Sequence, residues 1–381
     1  MTIKVCSASI LLCAILLAIV IPVCATITVY VRPEYDHAHC PGEPCKPLSY
    51  YQQNVSQYFV SDTTVVFMSG THSLEDLKPL VIQNVDNFIM KGIGGFIRGL
   101  ENLCESSSRI ECSDTHMSGF KFVNVTQVQI QNLTLASCGQ NMVYNSGIRA
   151  ALAFDTAHDA ILSRVTVRNS SGFGMHADRV FGNVQVNESA FLYNTGNKEY
   201  HGGNVRFWYE DCPENHNTYL QIELSYFLHG NDASKWPNTG LTMLMNCSLI
   251  VVRINNITAV GNEAGNLAIN FTDFTSNYHY SEEVPNVIIN NSRIAGGAGR
   301  RGGGLNVWLF IVLNPKEGIL CNQTCKNHRI VHISNTQFVG NHAHRAGGAL
   351  YIRYYETKQI ELITREIILQ NCTFSGNTVP P

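Results

Sequence analysis

A short phrase recurs through the second half of this chain, and a recurring phrase constrains the fold before any single residue does. It reads Asn335-Thr-Gln-Phe338-Val-Gly-Asn341 followed by Gly347-Gly-Ala-Leu350, and it returns as Asn371-Cys-Thr-Phe374-Ser-Gly-Asn377. Looser copies are Asn256-Ile-Thr-Ala-Val-Gly-Asn262, Asn291-Ser-Arg-Ile-Ala-Gly-Gly297 and Asn187-Glu-Ser-Ala-Phe191-Leu-Tyr-Asn194. Aligned on the Phe position, the copies place Leu135, Gly172, Phe191, Phe227, Ala259, Ile294, Phe338 and Phe374 in one column. Most steps are roughly 35 residues, which suits one solenoid coil plus a protruding loop. The expected fold is all-β: a single right-handed parallel β-helix over residues 63–381, its C-terminal coil incomplete.

The two asparagines of the phrase differ. The first often opens a glycosylation sequon, as at Asn132, Asn256 and Asn371; the second, at Asn194, Asn262, Asn341 and Asn377, never does. The second is expected to form a turn ladder in left-handed backbone, its amides stacked coil on coil. The first is expected to face solvent.

Residues 26–62 are expected to cap the first rung, which otherwise exposes an apolar cross-section and unpaired strand edges. Ile27–Val31 alternates as a strand, and Leu48, Tyr51, Val55, Tyr58 and Phe59 recur at helical spacing. From Thr63 onward short apolar or alternating runs are separated by turn residues.

Upstream, Lys4, the apolar run Ile10–Ile21 and Val23-Cys24-Ala25 before Thr26 form a secretory signal peptide over residues 1–25. An uncleaved signal anchor is the alternative; otherwise no membrane span is expected. Cleavage removes Cys6, Cys13 and Cys24 and leaves ten of the thirteen cysteines, an even number suited to an oxidising compartment. Cys40 with Cys45 and Cys321 with Cys325 are expected to close local loops, and Cys112 with Cys138 to bridge adjacent coils. Eleven sequons stand at Asn54, Asn124, Asn132, Asn169, Asn187, Asn246, Asn256, Asn270, Asn290, Asn322 and Asn371. After a leader they indicate a secreted eukaryotic glycoprotein. A net charge of −3 gives no reason to expect nucleic acid as a partner.

The Phe-x-x-Asn phrase with Gly-Gly-Ala-Leu resembles the repeat of bacterial polymorphic outer-membrane proteins, a group of surface adhesins. More broadly, residues 27–379 resemble right-handed β-helices of the pectin-lyase-like superfamily. The Cys-Pro-Gly-x-Pro-Cys cap resembles that of secreted β-helix proteins of invertebrate animals. The resemblance implies the fold; it leaves activity open, because one fold hosts many functions.

Enzymatic members of the superfamily cleave polysaccharides, and the resemblance implies where their motifs would lie. The Asn-Thr-Asp, Asp-Asp and Gly-His-Gly set of polygalacturonase-like hydrolases is missing, and His201 begins His-Gly-Gly instead. One acidic pair remains. Asp155 and Asp178 lie about one coil apart in parallel contexts, with His158, Asp159 and His176 nearby. Stacked, they would sit close enough for general acid–base work. The competing reading turns Leu152, Phe154, Met175 and Ala177 inward and leaves the polar groups solvated. The histidine pairs His37/His39, His328/His332 and His342/His344 lack a third ligand, so no metal or other cofactor is expected. Arg300-Arg301 reads as a solvated turn, Trp308 as core, and Trp208, Tyr209 and Trp236 as aromatic platforms on loops.

The function expected is that of a secreted or cell-surface glycoprotein without catalysis. It would bind glycans or extracellular proteins through loops on its coils, in an adhesive or matrix role. The alternative is a polysaccharide lyase or glycoside hydrolase using Asp155 and Asp178. End-on self-association is the further expectation, drawn from the last copy of the phrase.

Overall fold

The computed structural model describes residues 26–34, 40–74, 79–93, 96–97, 105–112, 119–138, 150–196, 203–209, 218–232, 240–245, 250–271, 287–311, 329–356 and 365–380. The leader, His37, His39, Trp236, Asn246, Asn322, Cys321, Cys325 and His328 lie outside them.

The described strands form a parallel β-helix in which the coil strands pair in parallel with the strand a coil before; the one antiparallel pairing among the described residues is the short Phe96–Ile97 with Glu105–Ser106. The continuous strand Phe120–Ala136 shows how a coil is built. Phe120–Val123 pairs with Leu80–Gln83, Val128–Gln131 with Phe88–Lys91, and Thr134–Ala136 with Arg109–Glu111. Left-handed residues Asn124, Gln127 and Asn132 bend it between these stretches. One strand therefore visits three faces. The first face continues through Ala150–Asp155, Phe173–Asp178, Val205–Tyr209, Leu241–Met245, Leu267–Phe271, Leu305–Ile311 and Leu350–Glu356. The second ends at Arg365–Gln370 and the third at Thr373–Ser375.

Alternation along each strand sends every other side chain inward. On the first face Leu152, Phe154, Met175 and Ala177 join the core, as the alternation reading predicts. On the third face the column runs Ile110, Leu135, Val167, Phe191, Phe227, Ala259, Ile294, Phe338, Phe374. Phe191 stacks on Phe227 at 5.6 Å and Phe338 on Phe374 at 5.0 Å, both nearly coplanar. Val167, not Gly172, holds the second aligned position. Gly172 lies past the end of that strand, beyond the left-handed Asn169 at the corner leading back to the first face.

The asparagines also exchange one expected property. The first is the left-handed residue at Asn256, Asn291, Asn335 and Asn371, with φ between 48° and 52°; in the copy beginning at Asn187 the left-handed residue is Glu188. All four asparagines are exposed. The second, buried at Asn194, Asn262 and Asn341 and half-buried at Asn377, forms the ladder, but the left-handed residue there is its predecessor: Tyr193, Gly261, Gly340 or Gly376. The ladder also recruits Asn204 and Asn266. Amide donates to amide from Asn194 to Asn204, Asn262, Asn266, Asn341 and Asn377, at 2.7–3.1 Å.

In the cap, strand Ile27–Arg32 pairs in parallel with Thr63–Phe67, and helices α1 (Leu48–Gln53) and α2 (Val55–Tyr58) follow. Leu48, Tyr51 and Phe59 are buried against the first coils, and the Tyr51 hydroxyl donates to the Tyr30 carbonyl at 3.0 Å. Disulfides join Cys40 to Cys45 and Cys112 to Cys138. The second staples successive coils of the third face. In the chain-entropy view a loop of this size gives about 3 kcal/mol. The double variant Cys112→Ala/Cys138→Ala is expected to lose about that much in chemical denaturation, whereas a loss under roughly 1 kcal/mol would assign the bridge no such role.

Candidate functional site: the outward side of the first face

Outward residues of the first face fall in two columns. One runs Lys121, Ala153, His176, Arg206, Thr242, Ala268, Asn306, Tyr351. The other runs Asp155, Asp178, Trp208, Leu244, Asn270, Trp308, Arg353. This face gathers chemistry that the core strands themselves do not need.

Asp155 and Asp178 are register partners on adjacent coils, so the stacking expected from sequence is present. Their surroundings differ from an acid–base dyad. The Arg179 guanidinium lies 2.7 Å from Asp155 and 3.8 Å from Asp178, and Lys121 Nζ lies 3.6 Å from Asp155. Two cations therefore face the two carboxylates, the arrangement of an ion-pair cluster. His158 and Asp159 lie at the corner after this strand. Their side chains meet at 3.0 Å, and Asp159 accepts from the Asn183 backbone N–H at 2.7 Å. Gly182, with φ +75°, fits there because a Cβ would lie 2.3 Å from Asp159 Oδ1. The His–Asp pair thus shapes a corner.

His176 departs from the solvated reading. Although its alternation is outward, it is only 1% exposed, lying between the rings of Phe173 (5.4 Å) and Trp208 (6.5 Å). Neither imidazole nitrogen has a hydrogen-bond partner. Burial, and secondarily the Arg206 charge, push its pKa down to about 3. Arg206 is 3% exposed, with its guanidinium 4.3 Å from the Trp208 ring centre and 5.9 Å from that of Phe173.

A second cluster lies three coils on. Trp308 is outward and half-buried, while Leu305 and Val307 fill the core. Its assignment to the core mistook the phase of the strand. Arg301 is not a solvated turn: it ends strand Ala298–Arg301, which pairs with His342–Ala346. Its guanidinium lies 5.9 Å from the Trp308 ring centre and 5.5 Å from that of Tyr351. Tyr209, expected on a loop, is a buried strand residue, and Trp208 is its outward neighbour.

Among the described residues no group of three or more histidine, cysteine or acidic side chains is placed to hold a metal. His342 and His344 are in edge contact at 5.0 Å, and His342 bonds the Thr378 hydroxyl at 2.8 Å. Sequence reasoning missed Lys121, Arg179 and Arg206. Their signal was positional: each lies beside, or one coil from, a residue already singled out.

No protein-family model and no curated protein matches the chain. Similar solved structures include the PL6-family alginate lyase AlyGC, with a TM-score of 0.41 and 10% identity over 91% of this chain. This chain spans 40% of that protein's length. The A-module of the Azotobacter vinelandii mannuronan C-5 epimerase AlgE4 has a TM-score of 0.41 and 13% identity, covering 83% of this chain and 88% of the module. The catalytic domain of a GH87 α-1,3-glucanase has a TM-score of 0.40 and 10% identity, covering 91% and 58%. The fold assignment rests on the strand pairing itself.

Proposed function

We propose that this chain is an exported, non-catalytic β-helix glycoprotein that binds acidic glycans along the outward side of its first face, in an adhesive or matrix setting. The observation that carries the reading is the pairing of guanidinium with aromatic ring at two places on one face: Arg206 at Trp208, and Arg301 at Trp308 and Tyr351. An aromatic ring offers an apolar surface to the C–H side of a sugar. The half-buried Arg301 guanidinium beside Trp308 offers a planar fork to a carboxylate or sulfate, while the buried Arg206 backs the Trp208 ring. The clusters are three coils apart, about 14 Å at β spacing, so an extended chain lying along the solenoid would meet both. Export is supported by the leader, the sequons and the two disulfides. No helix of the described residues is long and apolar enough to cross a membrane.

The test is an array of neutral and acidic oligosaccharides. Binding is expected to favour the acidic members and to weaken with salt. Trp308→Ala, and separately Arg301→Lys, are expected to lower affinity about tenfold, or ~1.4 kcal/mol. Lysine keeps the charge but not the fork. Retention of an extracellular protein but no glycan, or full affinity in both folded variants, would overturn the reading.

The register of Asp155 with Asp178 favours the catalytic alternative and defines its test. A reducing-end assay on uronic-acid polymers is expected to show no turnover. Cleavage abolished by Asp155→Asn or Asp178→Asn would replace the binding reading with a lyase or hydrolase.

A further inference from the structure

The sequence presents sequons as a scattered set; the coil geometry does not scatter them. From Asn132 onward each described coil places one left-handed residue at the corner between the second and third faces, and asparagine tolerates that geometry best after glycine. Asn132, Asn256 and Asn371 occupy this position, with φ of 51°, 52° and 52°. Asn187 and Asn290 immediately precede the same corner, at the last outward position of the second face. Five of the nine described sequons therefore lie along one edge of the solenoid. That edge is separated from the first face by a whole strand on either side. Asn124 and Asn169 sit at the other two corners and lie outside the argument.

Asn270 is the contrasting case. It lies inside strand Leu267–Phe271 on the outward side of the first face, in register with Trp308. It is half-buried, and its Oδ1 is buried without a hydrogen-bond partner. A glycan there would stand in the path between the Trp208 and Trp308 clusters.

We propose that N-glycans on Asn132, Asn256 and Asn371 form an axial ridge along the corner between the second and third faces, and that Asn270 stays unmodified so that the first face remains open. The claim rests on the export and glycan-binding reading above and adds a direction to it. The modification is transfer from a lipid-linked oligosaccharide diphosphate. The bond from anomeric C1 to the phosphate oxygen breaks, a bond from C1 to asparagine Nδ2 forms, and the amide proton leaves with the diphosphate. A row of bulky, hydrated chains keeps neighbouring solenoids from packing against that edge. Ligand is then received only from the opposite side.

The full chain, secreted from a eukaryotic host, is deglycosylated enzymatically in heavy-oxygen water, which turns each occupied asparagine into labelled aspartate. Peptide mass mapping is expected to find label at Asn132, Asn256 and Asn371 and none at Asn270. The triple variant Asn132→Asp/Asn256→Asp/Asn371→Asp tolerates the left-handed corner but carries no amide to modify. It is expected to keep acidic-oligosaccharide affinity within about twofold of the parent, a difference well under 1 kcal/mol. Label at Asn270, or an unlabelled edge with other sites labelled, overturns the ridge and leaves export standing. A folded triple variant that loses tenfold in binding overturns the separation of edge and binding face. No label anywhere overturns export and ridge together. If the parent binds no glycan, the occupancy map still decides the ridge.

Discussion

Asn262→Ala is expected to destabilise the fold by about 4–6 kcal/mol, among the largest single-residue effects available in this chain. The side chain makes four hydrogen bonds while fully buried. Its Nδ2 donates to the Phe227 carbonyl at 3.0 Å and to Asn266 Oδ1 at 2.7 Å. Its Oδ1 accepts from the Gly230 backbone N–H at 2.8 Å and from Asn204 Nδ2 at 3.1 Å. Alanine replaces none of these and leaves the partners without water to turn to, at ~1–3 kcal/mol for each group stranded. Because amides above and below share the chain of bonds, the cut also weakens its neighbours. Asn256→Ala is the internal control, since it changes the other asparagine of the same phrase. It loses left-handed tolerance at an exposed corner and is expected to cost only ~1–2 kcal/mol. Denaturant midpoints with unchanged slope measure both. Equal losses, or a loss under ~1.5 kcal/mol at Asn262, would show that the ladder is not a principal tie between coils.

The contrast also shows what the sequence carries. The Phe column was legible because apolar residues must stack in register; its one wrong member is Gly172, where the register places Val167. The buried ladder was legible at Asn194, Asn262, Asn341 and Asn377 because these asparagines never open sequons. Asn204 and Asn266 were missed, yet a signal existed. The register position one before Met175, Val205, Leu241, Leu267 and Leu305 runs Gly174, Asn204, Gly240, Asn266, Gly304 through successive coils. Glycine alternates with asparagine because each glycine makes room for an amide. A Cβ on Gly174 would lie 2.7 Å from Asn194 Nδ2, and one on Gly240 2.9 Å from Asn262 Nδ2. The site was less legible. Alternation reveals which side chains leave the core, but not what they meet outside. Arg179 between the two aspartates and Arg206 against Trp208 follow from neighbours one coil away, and only the register supplies those.

The same face gives the protein an acid limit that the sequence does not announce. His176 is neutral when folded, since burial and the nearby Arg206 charge hold its pKa at about 3, against the 6.5 usual for histidine. Between those two values the unfolded chain binds a proton that the folded chain refuses, so stability rises with pH across that window. The contribution is fully present above pH ~6.5 and is lost as pH falls toward 3, at up to ~1.4 kcal/mol per pH unit. His72, also buried and also shifted down by burial, adds to the slope with the same sign, while its bond to the Met68 carbonyl at 2.8 Å opposes the shift. His176→Phe keeps an aromatic ring between Phe173 and Trp208 and removes the proton. Denaturation midpoints taken from pH 7 to 4.5, above most carboxylate titration, are expected to fall for the parent and to fall by about one proton's slope less for the variant. Parallel curves would mean that His176 takes up its proton in the folded state, and so that the first face is open to water at this coil.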